Sequence, residues 1–309
     1  MIKHEIIIIV YNQELTIRQA LYSAINQTIK PYKISIFDDC SKDQTVEVIE
    51  GMIQTITGCN IEIHRNQMNL GIFPNFNQAL QSATGDIVHI LAGDDELELS
   101  LLENYNRYIT FNQIDIKKPI WMIPNITEFY QDGKSKQINQ YLYHNKSIFE
   151  SILANRIRSF ELGLSLPAAK QSIIETNIGY QADNLKSLLL CKKIDVRLVD
   201  FYGYRYRVFT GVTTNTNQID IYRSRVYILK LLLNEYGNIL TAREKKMVRY
   251  ELATVNYILT PNILTYLRQI QYVILILIIH HTVLDKKVFV KQLLPISWKS
   301  IIKSILRIR

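Results

Sequence analysis

Glycine and proline are scarce in this chain, 11 and 7 of 309 residues. That excludes collagen-like and low-complexity architectures and leaves no long flexible linker. Cysteine is scarcer: Cys40, Cys59 and Cys191, odd in number and scattered. No Cys-x-x-Cys or Cys/His cluster exists, so neither a disulfide framework nor a zinc site is indicated, and a reducing cytosol fits. Long hydrophobic runs are missing as well. The longest, in QYVILILIIHH, has fewer than ten consecutive apolar residues, against the ~20 that a spanning helix requires. The opening MIKHEIIIIVYNQ enters a strand pattern directly, and its apolar run is too short for a signal peptide.

Acid is nearly absent from the last third. From Thr216 to Arg309 there are 15 Lys/Arg against 5 Asp/Glu, whereas the first 215 residues hold 21 against 23. Such asymmetry predicts that the tail meets an anionic surface. In the terminal ISWKSIIKSILRIR, Trp298, Ile301, Ile302, Ile305 and Ile308 share one side of a helical wheel. Lys299, Lys303 and Arg307 flank them. This is the pattern of a helix lying on an anionic membrane surface. No nucleic-acid reader motif accompanies the basic residues, so a nucleic-acid partner is not expected.

What is present is strand–helix alternation. Ile6 to Val10 reads as a buried strand, followed by Asn12 as an N-cap and a helix carrying Ile17, Leu21 and Ile25 on one face. ISIFDD is a second strand, with Ser41 and Gln44 spaced as a capping box. IEIH is a third strand, Asn75 to Ala83 a short helix, and DIVHIL a fourth strand. This order predicts an α/β fold with a mostly parallel central sheet flanked by helices. Ligands in such sheets bind beyond the carboxyl ends of the strands. Tyr11, Asp38, Asp39, Asp94 and Asp95 all fall on that edge. After Ser100 the pattern is mixed. A helix from Leu101 to Phe111 precedes the strand WMIPNITEFY, the turn QDGK and a helix from Ser147 to Ala154. Another helix starts near Asp183, followed by the strand DVRLVDF and the segment YRYRVFTG. Beyond about Asn217 the chain reads as helical, which divides it into 1–215 and a helical, basic 216–309.

Adjacent carboxylates repel and need a positive partner or water. Hard oxygen ligands select Mn2+ or Mg2+, which keep waters and bridge to phosphates. A metal held by Asp95 would clamp a diphosphate and neutralise it as a leaving group. The alternative is a solvated strand-to-helix turn with its acids near a helix start.

Four segments, in order, are IIIIVYNQELTIRQALYSAINQT, ISIFDDCSKDQT, NLGIFPNFNQALQSATG and DIVHILAGDDE. Together they resemble the family 2 glycosyltransferases of GT-A (Rossmann-like) fold. The resemblance is strong over about residues 4 to 100 and weak from 101 to 215. It implies that Asp39 bonds the nucleotide base, with Asp38 a weaker candidate beside it and Tyr11 near the base. It places Asn77 near the nucleotide sugar, Asp94 at the ribose or donor sugar, and Asp95 on the metal. Asp43 matches an acid that follows the DDxS turn. In GYQADNLKSLLL, Asp183 matches the family's catalytic base, the carboxylate that deprotonates the acceptor hydroxyl in an inverting transfer. Ala182 stands where an acidic Glu is more usual. Arg207 fits the arginine of a YRxH segment, with Phe209 in place of its histidine. Ile9-Val10 replaces a polar pair before Tyr-Asn.

The expectation is an inverting transfer of one sugar from a nucleoside diphosphate sugar, with UDP the default. The acceptor is a glycan or lipid-linked glycan in surface-polysaccharide assembly, and the enzyme is cytoplasmic and peripheral at the inner membrane face. The absence of a QxxRW motif argues against a processive synthase. Two alternatives remain: a non-catalytic nucleotide- or sugar-binding module, and a sugar nucleotidyltransferase. The second needs a glycine-rich phosphate loop after strand one, where this chain has YNQELT.

Overall fold

A computed structural model describes residues 2–142, 146–158, 162–173, 182–208 and 217–260. Phe209, the apolar run at 272–279 and the basic terminal helix predicted from the sequence lie outside them. The chain divides into two compact units, Met1–Asn177 with Ala182–Asn215, and Ile178–Gln181 with Thr216–Arg309.

The first unit starts with β1 (His4–Val10), α1 (Ile17–Ile25), β2 (Lys33–Asp38), α2 (Thr45–Ile53), β3 (Ile61–Arg65), α3 (Ile72–Ser82) and β4 (Ile87–Ala92). β1, β2 and β4 are buried along nearly their whole length, as continuous β-branched runs covered on both faces must be. Ile17, Leu21 and Ile25 of α1 are all buried. Each such side chain contributes roughly 1.5–3 kcal/mol, so the 3.6-residue stripe docks α1 on the sheet.

A second run follows: β5 (Glu96–Leu97), α4 (Leu101–Phe111), β6 (Ile120–Phe129), β7 (Ser135–Ile138), α5 (Ile148–Leu153), β8 (Leu164–Ser165), α6 (Leu166–Gln171), α7 (Ala182–Leu190) and β9 (Asp195–Arg207). The sheet order is β3-β2-β1-β4-β8-β6-β9-β5, with β7 on β6. The pairs β1–β2, β2–β3, β1–β4 and β6–β9 are parallel. Two-residue β8 pairs antiparallel to both β4 and β6, so the halves of the sheet meet through a short antiparallel splice that alternation alone does not predict. β5 lies at the far edge on β9, yet only Gly93, Asp94 and Asp95 separate it from β4. The sheet therefore curls, and those three residues close the curl.

Several local expectations change. α1 starts at Ile17 with Thr16 as N-cap, and Asn12 sits upstream in the left-handed region at φ 53°. α2 starts at Thr45 with Gln44 as N-cap and no capping box. In both places the capping side chain is drawn off by a partner in the neighbouring loop. α3 begins at Ile72, three residues before Asn75, because Pro74 is tolerated in a first turn. DVRLVDF and YRYR form one 13-residue strand. The Ser147–Glu150 capping box that opens α5 is present in full.

The amino ends of β1 and β4 hold a second set of buried polar groups. Glu5, fully buried, accepts from the backbone N–H of Thr84 and Gly85, both 2.7 Å, and from Ser35 Oγ at 3.0 Å. Lys33 Nζ lies 3.1 Å away. Beside it runs a histidine chain. Gly163 N–H donates to His89 Nδ1 at 3.2 Å, which puts the ring proton on Nε2. Nε2 then donates to His4 Nδ1 at 3.0 Å, and His4 Nε2 donates to Asn106 Oδ1 at 3.0 Å.

The second unit contains α8 (Gln218–Asn234), a 3-10 turn (Gly237–Ile239) and α9 (Ala242–Leu259). Asn217 caps α8, and Thr241 with Glu244 forms a capping box on α9. Ile228, Leu229 and Leu232 of α8 and Val248 and Val255 of α9 are buried, and Arg225 pairs with Glu251 at 3.5 Å. Among the described residues no helix is long and apolar enough to cross a membrane.

Candidate active site

The loops after β1 and β2 are laced together at the carboxyl edge of the sheet. Backbone N–H groups of Asn12, Gln13 and Glu14 donate to Ser41 Oγ, Thr45 Oγ1 and Asp43 Oδ2. In return Lys42 N–H donates to Asn12 Oδ1 and Gln44 N–H to Glu14 Oε2. Burial pushes the Asp43 carboxyl up, but bonds from Thr45 and the Glu14 amide outweigh it and hold it below the usual range. Asp43 is thus a tie between the two loops. Tyr11 stands at the rim, 43% exposed.

Asp38 is fully buried, accepts from Ser41 N–H at 3.1 Å and pairs with Arg65 Nε at 3.4 Å. These contacts turn it inward and make it a brace for the loop. Asp39 is nearly buried. Its Oδ1 accepts from Asn66 Nδ2 at 2.9 Å and Leu70 N–H at 2.8 Å, and its Oδ2 accepts from Gly71 N–H at 2.8 Å. It therefore holds the start of α3, where Gly71 has φ 89° and needs to be glycine. Asn75, buried, bonds Phe37 O and accepts from Asn66. Neither Asn66 nor Asn75 was a site candidate in the sequence, although Asn75 stands two residues before Asn77 in the stretch NFN. Asn77 is half-buried in the second turn of α3.

Asp94 and Asp95 sit on the seam between β4 and β5. Asp95 is 4% exposed. Its Oδ2 accepts from Tyr204 Oη at 2.8 Å and its Oδ1 from the backbone N–H of Arg207 at 2.7 Å. Burial first, then the charge of Asp94, push its carboxyl up to about 8, against the opposing pull of those two donors and the Arg207 charge. Burial also raises Asp94, opposed by Arg207 and by a bond from the Gln13 side chain. Arg207 Nε donates to the Asp94 carbonyl at 2.7 Å. Gln13 packs so closely on Gly93 that an added Cβ would lie 2.2 Å from its Oε1. Tyr204 and Gln13 were both missed. The alternation in Tyr-Arg-Tyr-Arg pairs Arg207 with Arg205 and leaves Tyr204 on the other face, so the pattern does not point at Tyr204. Gln13 carries no signal either.

Asp39, Asp94, Asp95, Tyr11 and Arg207 thus share one edge. Asp183 lies on another element, exposed in the first turn of α7. Lys186, one turn on, is buried with its ammonium 3.4 Å from the centre of the Phe76 ring on α3. This contact packs α7 against the helix that carries Asn77.

The description Glycosyl transferase family 2 matches residues 5–169, more than half of the chain. The chain belongs to glycosyltransferase family 2. Curated relatives include the glycosyltransferase GlyA of Streptococcus pneumoniae, 27% identical over 66% of this chain and 31% of that protein. Another is the cholesterol galactosyltransferase of Borreliella burgdorferi, 30% identical over 40% of this chain and 38% of its own length. The chain therefore spans only about a third of the length of these relatives. Among solved structures, S. aureus TarS residues 1–349 in complex with UDP superposes with a TM-score of 0.59 at 17% identity. The match covers 88% of this chain and 78% of that one, and shares the GT-A fold.

Members of family 2 commonly use a divalent metal. Among the described residues no group of three His, Cys, Asp or Glu side chains forms a ready-made site. The donor set still fits Mn2+ or Mg2+. Such ions take one or two carboxylates and complete their shell with water and substrate phosphate. An adjacent acid pair, Asp95 buried and Asp94 half-buried, with both carboxyls pushed up is short of positive charge. Asp95 would be the ligand, with Asp94 beside it.

Proposed function

We propose that this family 2 chain transfers a single sugar, with inversion, from a nucleoside diphosphate sugar to a glycan or lipid-linked glycan acceptor. The observation that carries the reading is the adjacent Asp94–Asp95 pair at the carboxyl edge of the sheet, with the Arg207 amide on Asp95 and the Arg207 guanidinium on the Asp94 carbonyl. UDP is the favoured nucleotide, by analogy with the TarS complexes, whose ligands are UDP and UDP-GlcNAc.

In this reading Tyr11 and the Asp39 loop receive the base, Asn77 and Asp94 the sugars, and Arg207 the diphosphate. Asp183 takes the proton from the acceptor hydroxyl as its oxygen attacks the anomeric carbon. The bond from that carbon to the phosphate oxygen breaks, and the diphosphate leaves with the electron pair. A bound divalent cation would supply charge neutralisation at that leaving group. The basic region 216–309 would bring the protein to the inner face of a membrane, where lipid-linked acceptors lie.

A nucleotidyltransferase reading is disfavoured. The amides of Asn12, Gln13 and Glu14, which would have to cradle a triphosphate, are bonded to the next loop. Calorimetric titration with UDP, GDP and CDP, each with and without Mn2+, on wild type and Asp95→Ala tests the proposal. Metal-dependent binding of one diphosphate, lost in the variant, is expected. Full affinity in Asp95→Ala would remove the metal role. Asp183→Asn should keep donor binding and lose transfer; unchanged turnover would assign the base elsewhere.

A further inference from the structure

The third acid of the DDE stretch does not join the first two. Glu96 lies in β5, paired antiparallel to β9 with Glu96 opposite Arg205. Its two carboxylate oxygens face two different guanidinium groups: Oε2 accepts from Arg205 Nε at 3.2 Å, and Oε1 from Arg207 Nη2 at 3.1 Å. Arg205 reaches on to Glu98, 3.6 Å away, and Glu98 in turn accepts from Thr127 Oγ1 at 3.1 Å. The Phe129 ring lies under both guanidinium groups, 4.5 Å from Arg207 and 5.2 Å from Arg205. Arg207 and Arg205 are two residues apart on one strand, so both project from the same face. The result is an alternating row, Glu98–Arg205–Glu96–Arg207, that ends against the Asp94 carbonyl.

We infer that Glu96 is a positioning residue for the transfer, and that it acts through Arg207. An arginine at a diphosphate works only if its planar fork is held in a fixed orientation. Among the described residues, the Arg207 guanidinium meets the Asp94 carbonyl through Nε, Glu96 through Nη2 and the Phe129 ring through its face. Of these, the Asp94 carbonyl belongs to the aspartate loop itself and Phe129 is non-directional. Among the described residues, Glu96 supplies a charged, directional bond from outside that loop. Arg205, on the other oxygen, keeps the Glu96 carboxylate from swinging away. Glu96 itself has no part in holding metal or base; it sets the angle at which Arg207 meets the phosphate.

The inference rests on the proposed donor site, and the test separates the two. Binding of UDP and of UMP, with Mg2+ present, is measured by calorimetry on the full chain as wild type, Glu96→Gln, Arg207→Met and the double variant. Melting temperature is followed in parallel. The ratio of UDP to UMP affinity isolates the second phosphate. We expect that ratio to fall about tenfold in Glu96→Gln, the size of a lost charge-assisted bond. UMP affinity should hold, and the double variant should lose no more than Arg207→Met alone, as coupled residues do. Glu96→Asp should recover part of the ratio. A Glu96→Gln protein that melts normally and keeps the wild-type ratio overturns the inference. Equal loss of UDP and UMP in Glu96→Gln also overturns it, since a merely structural role would act on both. Wild type that binds no UDP overturns the donor-site reading, and the inference falls with it.

Discussion

Glu5 and Asp95 are both buried acids at the ends of adjacent strands of one sheet, and their environments treat them in opposite ways. Burial pushes each carboxyl up. At Glu5 the amides of Thr84 and Gly85 and the Lys33 ammonium more than reverse that push, and the group ends below its ordinary value. At Asp95 the Arg207 amide and the Tyr204 hydroxyl do not reverse it, and the neighbouring Asp94 adds to it. The fold thus has the means to neutralise a buried carboxylate and does so at the amino end. At the carboxyl end the positive charge is left short, where a donor and its cation would supply it. A perturbed acid in such a place marks function better than burial alone does.

The comparison breaks most sharply by exchanging the effects. Asp95→Asn should lower transfer by roughly 10²–10³-fold while leaving the melting temperature equal or higher, because it removes repulsion from Asp94. A clear loss of stability would mean that the pair is structural after all. Glu5→Gln should do the reverse. It strips the charge from a buried network and leaves Lys33 underpaired, at about 2–4 kcal/mol, read as a lower urea midpoint with transfer per folded molecule intact.

Acidity should affect the amino end next. Burial holds His89 and His4 below the ordinary value of 6.5, and each ring uses its one proton in a directed chain. Protonating either ring would set two donors face to face. The folded state therefore binds fewer protons than the unfolded chain. Stability is fully present above pH 6.5 and declines as pH falls below it. Glu5, held below 4.5, adds a further loss only at more acidic pH, as its own folded carboxyl titrates. A urea midpoint that stays flat between pH 7.5 and 5.5 would contradict the histidine chain. The smallest effect is expected from Tyr204→Phe. It removes one of the two donors on Asp95 and should change metal-dependent UDP affinity by only a few-fold, about 1 kcal/mol. An unchanged affinity would mean that the Arg207 amide suffices.

The succession of strands and helices in the first half and the edge on which its acids collect were legible from period and punctuation. Strand ends are local features, and in a parallel sheet they fall on one side. What was not legible is what crosses the chain. Asn12 and Ser41 look like helix caps because their neighbours do, yet they bond each other's loops across 29 residues. Tyr204 meets Asp95 across 109 residues, and nothing near either residue announces the other. Two-residue β8 lacks any periodic signal, so the antiparallel splice was invisible. Glu96 read as more of the same acid until its two arginines were in place.

The seam has a consequence in time. Asp95 and Arg207 are 112 residues apart in the chain. At the usual pace of synthesis the arginine leaves the ribosome roughly 6–22 s after the aspartate. During that interval the acid pair has been made but β5 has no β9 to pair with, and water still screens the repulsion. The curl closes only when Tyr204 and Arg207 arrive. A nascent chain stopped before them carries every acid of the motif and no site.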